Sequence, residues 1–342
     1  MSNRHRLAPL LLVAAACLLA GGMVGGMVPP ARAQGAAAAP AGETAGMVGE
    51  VKPGKGRVEL RPAAGGDWRA ARPLAALRAG DSLRATEDAA VVVVLSGGRG
   101  TISVNAARSP YTVPAPDSGP ARSDKVKSLV QSSLGFLSGA TGESPRAALV
   151  TRSVTVPPLV LAPRNTPVLP GPLTFEWVGH RAGRYAVQLI GPAGVVLDRP
   201  EIVGNRLVYP PDGPPLAPGA RYTLRVLAGS QSPQESWFEV MAPARAEAVR
   251  ADVGALEQSF DATDTATTRV ILRTGLLASN GLMHDARKQV IEALAVTPDD
   301  PALYSLLGAL YERTGLRQQA ATAYQEAQIL MDAGRPSAPT PR

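Results

Sequence analysis

The side chains able to do chemistry are few in this 342-residue chain: three histidines, one cysteine, and carboxylates without catalytic spacing. His180 and His284 are the two histidines beyond the N-terminal stretch, and neither has an acidic or serine partner in a recognisable pattern. A general base needs such a partner to orient it, so both read as surface or satisfied residues. Asp299-Asp300 is a pair of neighbouring carboxylates, but Pro301 and an apolar helical run follow it, which is the arrangement of a helix cap. Gly97-Gly98-Arg99-Gly100 has the composition of a phosphate cradle, yet it lies between two strand patterns and not ahead of a helix, so a hairpin turn is expected. There is no Gly-x-Ser-x-Gly elbow, no Walker loop and no zinc-type His/Cys spacing. The expectation is therefore a binding protein, with no catalytic residue, cofactor or metal site.

Length and composition narrow the class. A chain this long suggests two to three folded segments. It has 45% hydrophobic residues, only 4% aromatic ones, and 35 Gly and 32 Pro, so turns and linkers take a large share. The net charge is +7, but Arg4, Arg6 and Arg32 lie in an N-terminal leader, which leaves 32 basic against 28 acidic residues. No Lys/Arg stripe interleaved with aromatics is present, so nucleic acid is not an expected partner.

The leader has a basic start, an apolar run Leu7–Leu19, and Ala31-Arg32-Ala33 before Gln34. It reads as an export signal over 1–33, cleaved after Ala33, placing the mature protein in the periplasm or outside the cell. A retained anchor over Leu7–Val28 and a lipid anchor at Cys17 are alternatives, the latter opposed by the apolar sequence continuing past Cys17. A chain beginning at Gln34 has no cysteine and hence no disulfide.

The elements that organise the rest begin with a period near the C-terminus. Gly281, Ala286 and Ala293 recur thirty-four residues later as Gly315, Ala320 and Ala327, whereas Pro298 meets Asp332. This period marks stacked helical hairpins. In the second unit Asp300 caps a helix striped by Leu303, Leu307, Leu310 and Tyr311, Gly315 stops it, and Ala320, Tyr324, Ala327 and Met331 line its partner. Leu307-Gly308, Tyr311, Gly315, Ala320, Tyr324 and Ala327 resemble the tetratricopeptide repeat; the first unit, about 266–299, is degenerate, with Arg273-Thr274 in place of Leu307-Gly308. Family members bind proteins or peptides along the concave face of the first helices. The resemblance implies that Ala302, Ser305, Ala309, Glu312 and Arg313, with Gly275, Ala278 and Ser279, form that face. A purely structural role for the repeats is the alternative. A further helix, Ala246–Gln258, precedes them, and the helical segment spans 245–331.

Two β segments come before the helices. In 47–113, Met47–Val51 and Arg57–Arg61 flank Pro53-Gly54-Lys55-Gly56, a hairpin signal, and Ala90–Leu95 reads as a strand buried on both faces. Gly49-Glu50-Val51, Trp68, Leu77…Gly80-Asp81-Ser82-Leu83 and Ala89–Leu95 resemble the FecR periplasmic domain, with Gly97-Gly98 where that family carries Asp-Gly. Sigma-factor regulators of that family place a membrane helix ahead of this domain; an export signal stands there here, so the regulator role is not carried over. Residues 159–242 alternate in short strands and read as a β-sandwich. Leu216–Val226 resembles the penultimate-strand motif of fibronectin type III domains, implying Tyr222 tied back to the preceding loop, with Trp177, Tyr185, Tyr222 and Trp237 as core anchors. Residues 34–46 read as a disordered tether, 114–158 as a linker whose Asp124–Leu137 forms an amphipathic helix lying on a neighbouring domain or docking elsewhere, and 332–342 as a disordered tail.

The leading functional expectation is an exported, non-enzymatic scaffold of the bacterial cell envelope holding a protein partner on its repeats. The runner-up is a cell-wall or glycan-binding module whose FecR-like unit does the binding; a membrane-anchored signalling component is third. Two repeats without a capping helix leave Ile329, Leu330 and Met331 beside an uncovered surface, predicting self-association or a partner at Leu330.

Overall fold

A computed structural model describes residues 44–52, 54–116, 123–139, 158–180, 182–210 and 213–333. The leader, the first part of the tether, much of 114–158 and the tail beyond Ala333 lie outside these described residues. The described chain has a β-rich N-terminal part and a helical C-terminal part.

The first eight strands are β1 (Thr44–Lys52), β2 (Val58–Arg61), β3 (Arg69–Ala70), β4 (Ala76–Arg78), β5 (Ser82–Ala85), β6 (Ala90–Leu95), β7 (Thr101–Val104) and β8 (Tyr111–Thr112). They make two antiparallel sheets, ordered β4-β1-β6-β7 and β3-β2-β5-β8. The expected hairpin between β1 and β2 is absent, because those strands belong to different sheets. The Gly54–Gly56 turn instead carries the chain across, held by Asp88, whose Oδ1 accepts the Lys55 N–H at 2.7 Å. Gly56 approaches Thr86 so closely that a Cβ would overlap its carbonyl oxygen, which only glycine permits. Strand β1 starts at Thr44, three residues inside the expected tether, because small Ala45 and Gly46 pack against Leu95 and β6. Buried Asp81 serves structure: it accepts the Ala63 and Arg78 N–H groups, both at 2.8 Å.

Strand β6 is buried on both faces as expected, and the tertiary structure supplies the reason. Val91, Val93 and Leu95 face the core between the two sheets. Val94, with Met47 of β1, faces a core shared with the helices.

Helix α1 (Asp124–Ser138) follows, its Ser123 side chain accepting the Val126 N–H. A second pair of sheets comes next: β9 (Leu159–Ala162), β10 (Thr166–Val168), β11 (Thr174–Val178), β12 (Arg184–Gly191), β13 (Gly194–Val203), β14 (Arg206–Val208), β15 (Arg221–Leu227) and β16 (Gln234–Val240). Their orders are β10-β16-β15-β12-β13 and β14-β11-β9. The Tyr222 hydroxyl accepts the Ala217 N–H at 2.7 Å, the tie that the sequence motif implied. Trp177, Tyr185 and Tyr222 lie in the core, with Phe238. Trp237 does not: Ser236, Phe238 and Val240 alternate inward, which turns Trp237 outward beneath the Arg221 guanidinium, 4.3 Å from its ring centre.

Helices α2 (Pro243–Gln258), α3 (Ala266–Ser279), α4 (Met283–Val296), α5 (Pro301–Arg313) and α6 (Arg317–Ala333) complete the chain. The period is visible in the backbone, since Gly281 and Gly315 take φ of +82° and +76° just after α3 and α5. Gly308 lets α5 meet α6, where a Cβ would come within 2.6 Å of the Tyr324 ring. The described residues fall in one compact unit, with the helices packed on both β parts. Met47, Leu74 and Val94 of the first β part belong to the helical core.

Candidate functional site: the inner face of the helical hairpins

The face assigned to a partner is filled by the chain itself. Helix α1 packs along α3, where Gly275 sits so close that a Cβ would lie 2.8 Å from the Ser133 carbonyl oxygen. Ala278 is buried in the same core as Val126, Leu129, Val130, Leu134 and Leu137 of α1, whereas Ser279 stays exposed at the end of α3. Ala302, Ser305 and Ala309 are buried too, and α5 packs on β1. Ser305 donates to the Pro301 carbonyl at 2.9 Å, and Glu312 accepts from the Tyr324 hydroxyl at 3.0 Å, both within the hairpin. Arg313, although exposed, lies 4.9 Å over the Phe136 ring of α1 and donates to the Phe136 carbonyl at 3.4 Å. The predicted peptide groove thus holds an internal helix.

Could a competing peptide displace it? The five apolar side chains of α1 each stabilise by about 1.5–3 kcal/mol when buried. Their sum is roughly 10 kcal/mol, comparable to the stability of a whole domain. Helix α1 is a constituent of the helical layer, consistent with the reading of 124–137 as a helix lying on its neighbour.

The open end of the hairpins is also covered in part. Met331 joins the core of the first β part, beside Val51, Val58, Ala71 and Ala89. Leu330 is half-buried and Ile329 remains exposed. The continuous apolar surface expected at 329–331 is interrupted because the N-terminal strands stand where a third repeat would.

Two polar junctions lock the parts together. At the first, Glu50 of β1, only 7% exposed, accepts hydrogen bonds from the Thr265 and Thr268 hydroxyls at the start of α3. Burial raises its carboxyl pKa, with Lys52 opposing and Asp300 adding to the shift. Asp300 caps α5 through the Ala302 N–H at 2.8 Å and accepts from Thr267 at 2.5 Å. The Asp299-Asp300 pair therefore supplies a cap, as expected.

At the second junction, the sandwich meets the turn between α3 and α4. Thr166 donates to the Gly281 carbonyl at 2.7 Å and accepts the Met283 N–H at 3.0 Å. Arg287 pairs with Glu176 at 2.7 Å, and Asp285 accepts the Leu169 N–H at 3.1 Å. Burial pushes Asp285 up to about 6 and His284 down to about 4. His284 departs from the expected surface or satisfied residue: its Nδ1 is buried without a hydrogen-bond partner among the described residues, beside Leu161, Leu310 and Tyr311. That small cavity is lined otherwise by Ala162, Arg164, Met283, Arg287 and Thr314.

The departure at Arg273 also has a place. It bridges α3 to α2 through Glu257 at 2.7 Å and to α4 through Gln289 at 2.9 Å, at the floor of a groove of about 300 Å³. A leucine at this position, as in the second unit, would leave Glu257 unpaired. Among the described residues no group of three or more metal-ligating side chains occurs, and no helix is long and apolar enough to cross a membrane.

Sequence reasoning missed that α1, β1 and the hairpins meet. The signals were present but local: Gly275 in a helix interior, and Glu50 in an otherwise apolar strand. No protein-family model and no curated protein matches this chain.

Proposed function

We propose that this chain is an exported, non-catalytic scaffold of the bacterial cell envelope in which the helical hairpins act as an internal clamp and the first β part makes the envelope contact. In this reading the first part is a FecR-like unit, the second a fibronectin III-like sandwich, and the helices a pair of tetratricopeptide-like repeats. The observation that carries the reading is the filling of the inner face by α1 and β1, which removes the surface such repeats use for peptides. That favours the envelope-binding reading over a partner held in the repeats. The charge distribution agrees: residues 44–116 carry ten basic and six acidic side chains, while 117–342 nets only +1. An exposed patch for a protein partner elsewhere on the scaffold is compatible with both.

The test is co-sedimentation of the full-length mature protein with purified cell wall, stripped of protein, alongside wall that retains its proteins. Pelleting with stripped wall supports the reading. Pelleting only when wall proteins are present supports a protein adaptor instead. Mass spectrometry of the mature N-terminus reports the export step, for which a chain starting at Gln34 is the expected result.

A further inference from the structure

The outer face of the β3-β2-β5-β8 sheet gathers several cations around one aromatic ring. Leu60 and Leu83, paired across β2 and β5, point into the core. Their neighbours Glu59, Arg61 and Arg84 therefore point outward, with Arg57 continuing the same row just before β2. Trp68, immediately before β3, lies beneath two of these cations. The Arg84 guanidinium is 4.3 Å and that of Arg61 is 4.8 Å from its ring centre. Glu59 holds Arg84 through its Nε at 2.6 Å, which leaves both Nη groups without a protein acceptor among the described residues. The side chains of Arg57 and Arg61 have no carboxylate partner there either. Helices α1, α3 and α5 pack on β1 of the other sheet and Met331 of α6 meets the edge of the core beside Arg57 and Val58, while the side chains of Arg57 and Arg61 are exposed.

We propose that this face binds an anionic polysaccharide, with Arg57, Arg61 and Arg84 taking carboxylate or phosphate groups along the polymer and Trp68 holding two of the guanidiniums in place. The inference rests on the envelope-binding reading above and names its ligand class. Guanidinium forks match such oxyanions in pairs, and a ring beneath them fixes the fork at little entropic cost. The chemistry also separates this ligand from its rivals. Trp68 is covered by guanidiniums and offers no free platform for stacking a nucleic-acid base. Among the described residues the exposed large hydrophobic side chains all lie between Val178 and Ile329, so this face has none to insert into a lipid surface.

The test uses the full-length protein and alginate oligosaccharides as the probe, with neutral dextran, oligo-deoxythymidine and anionic phospholipid vesicles in parallel. Alginate binding that weakens with salt and is absent for dextran is expected. Arg61→Glu should lower the affinity about tenfold or more, and Arg61→Lys, which keeps charge but loses the fork, should lower it by less. Arg199→Glu, on the sandwich edge, makes the same charge change elsewhere and should leave the affinity nearly unchanged. Melting temperature checks that each variant is folded. Equal losses for Arg61→Glu and Arg199→Glu, no alginate binding, or tighter binding of the oligonucleotide or vesicles would overturn the proposal. Wall pelleting that persists in Arg61→Glu overturns this site while leaving the envelope-binding reading intact. Failure to pellet with stripped wall overturns that reading itself.

Discussion

Asp285 and His284 are neighbours whose burial has opposite consequences, and replacing Asp285 with Asn separates them. Asp285 is pushed from 3.8 up to about 6, so the folded state holds a proton that the unfolded chain releases. Its contribution to stability therefore falls as pH rises between about 4 and 6. His284 is pushed from 6.5 down to about 4, so the unfolded chain binds the extra proton, and stability rises with pH between about 4 and 6.5. Each slope is about 1.4 kcal/mol per pH unit, and over roughly two units each amounts to about 3 kcal/mol. In the native chain the two slopes cancel. Asp285→Asn keeps an oxygen for the Leu169 N–H and removes one slope. The variant should be more stable than the native protein at pH 7 by up to about 3 kcal/mol, with the difference vanishing near pH 4. His284→Leu should show the reverse, gaining relative stability only as pH falls. Urea denaturation of both variants and the native protein at fixed ionic strength, from pH 4 to 7, gives these differences with other titrations subtracted. A stability difference for Asp285→Asn that does not change with pH would refute the reasoning.

Three further outcomes test the clamp. Gly275→Val should cost about 1–3 kcal/mol, because the new side chain meets the Ser133 backbone where α1 crosses α3; a neutral result by urea denaturation would mean that α1 is not seated there. Met331→Ala should cost about 2–3 kcal/mol and loosen amide-exchange protection in β1 and β6, since its side chain joins the core of the first β part; unchanged protection would place it elsewhere. Glu50→Gln keeps an acceptor for Thr265 and Thr268 but no buried charge. Burial raises the Glu50 pKa, so the variant's advantage over the native protein should grow as pH rises through the native carboxyl's titration and vanish in acid. An advantage that instead grows toward low pH would reverse the sign of the argument.

Much of the local architecture was legible because it depends on neighbours in sequence. The period of Gly281 and Gly315 is a statement about where a helix must stop in a left-handed turn, and the backbone obeys it at both positions. The cap at Asp300, the helix expected over 124–137 and found over Asp124–Ser138, and the alternation in Thr174–Val178 follow from side-chain chemistry within a few residues. The Tyr222 tie spans only five residues. What lay beyond reach were pairings between distant segments. The Pro-Gly turn after β1 promises a hairpin by composition, yet β1 is claimed by β4 and β6 and by the helices beneath it. Trp237 and Phe238 are adjacent aromatics with equal appetite for a core; the register of β16 on β15 alone decides which one enters. The burial of Ala302, Ser305 and Ala309 was likewise invisible, since small residues on a helix face are the same whether they receive a foreign peptide or the chain's own strand. Sequence alone determined most of the elements, because they are set by residue type and short spacing. Only the tertiary structure decided what fills the inner face and which cations meet around Trp68, because burial and charge clustering are properties of three-dimensional neighbours.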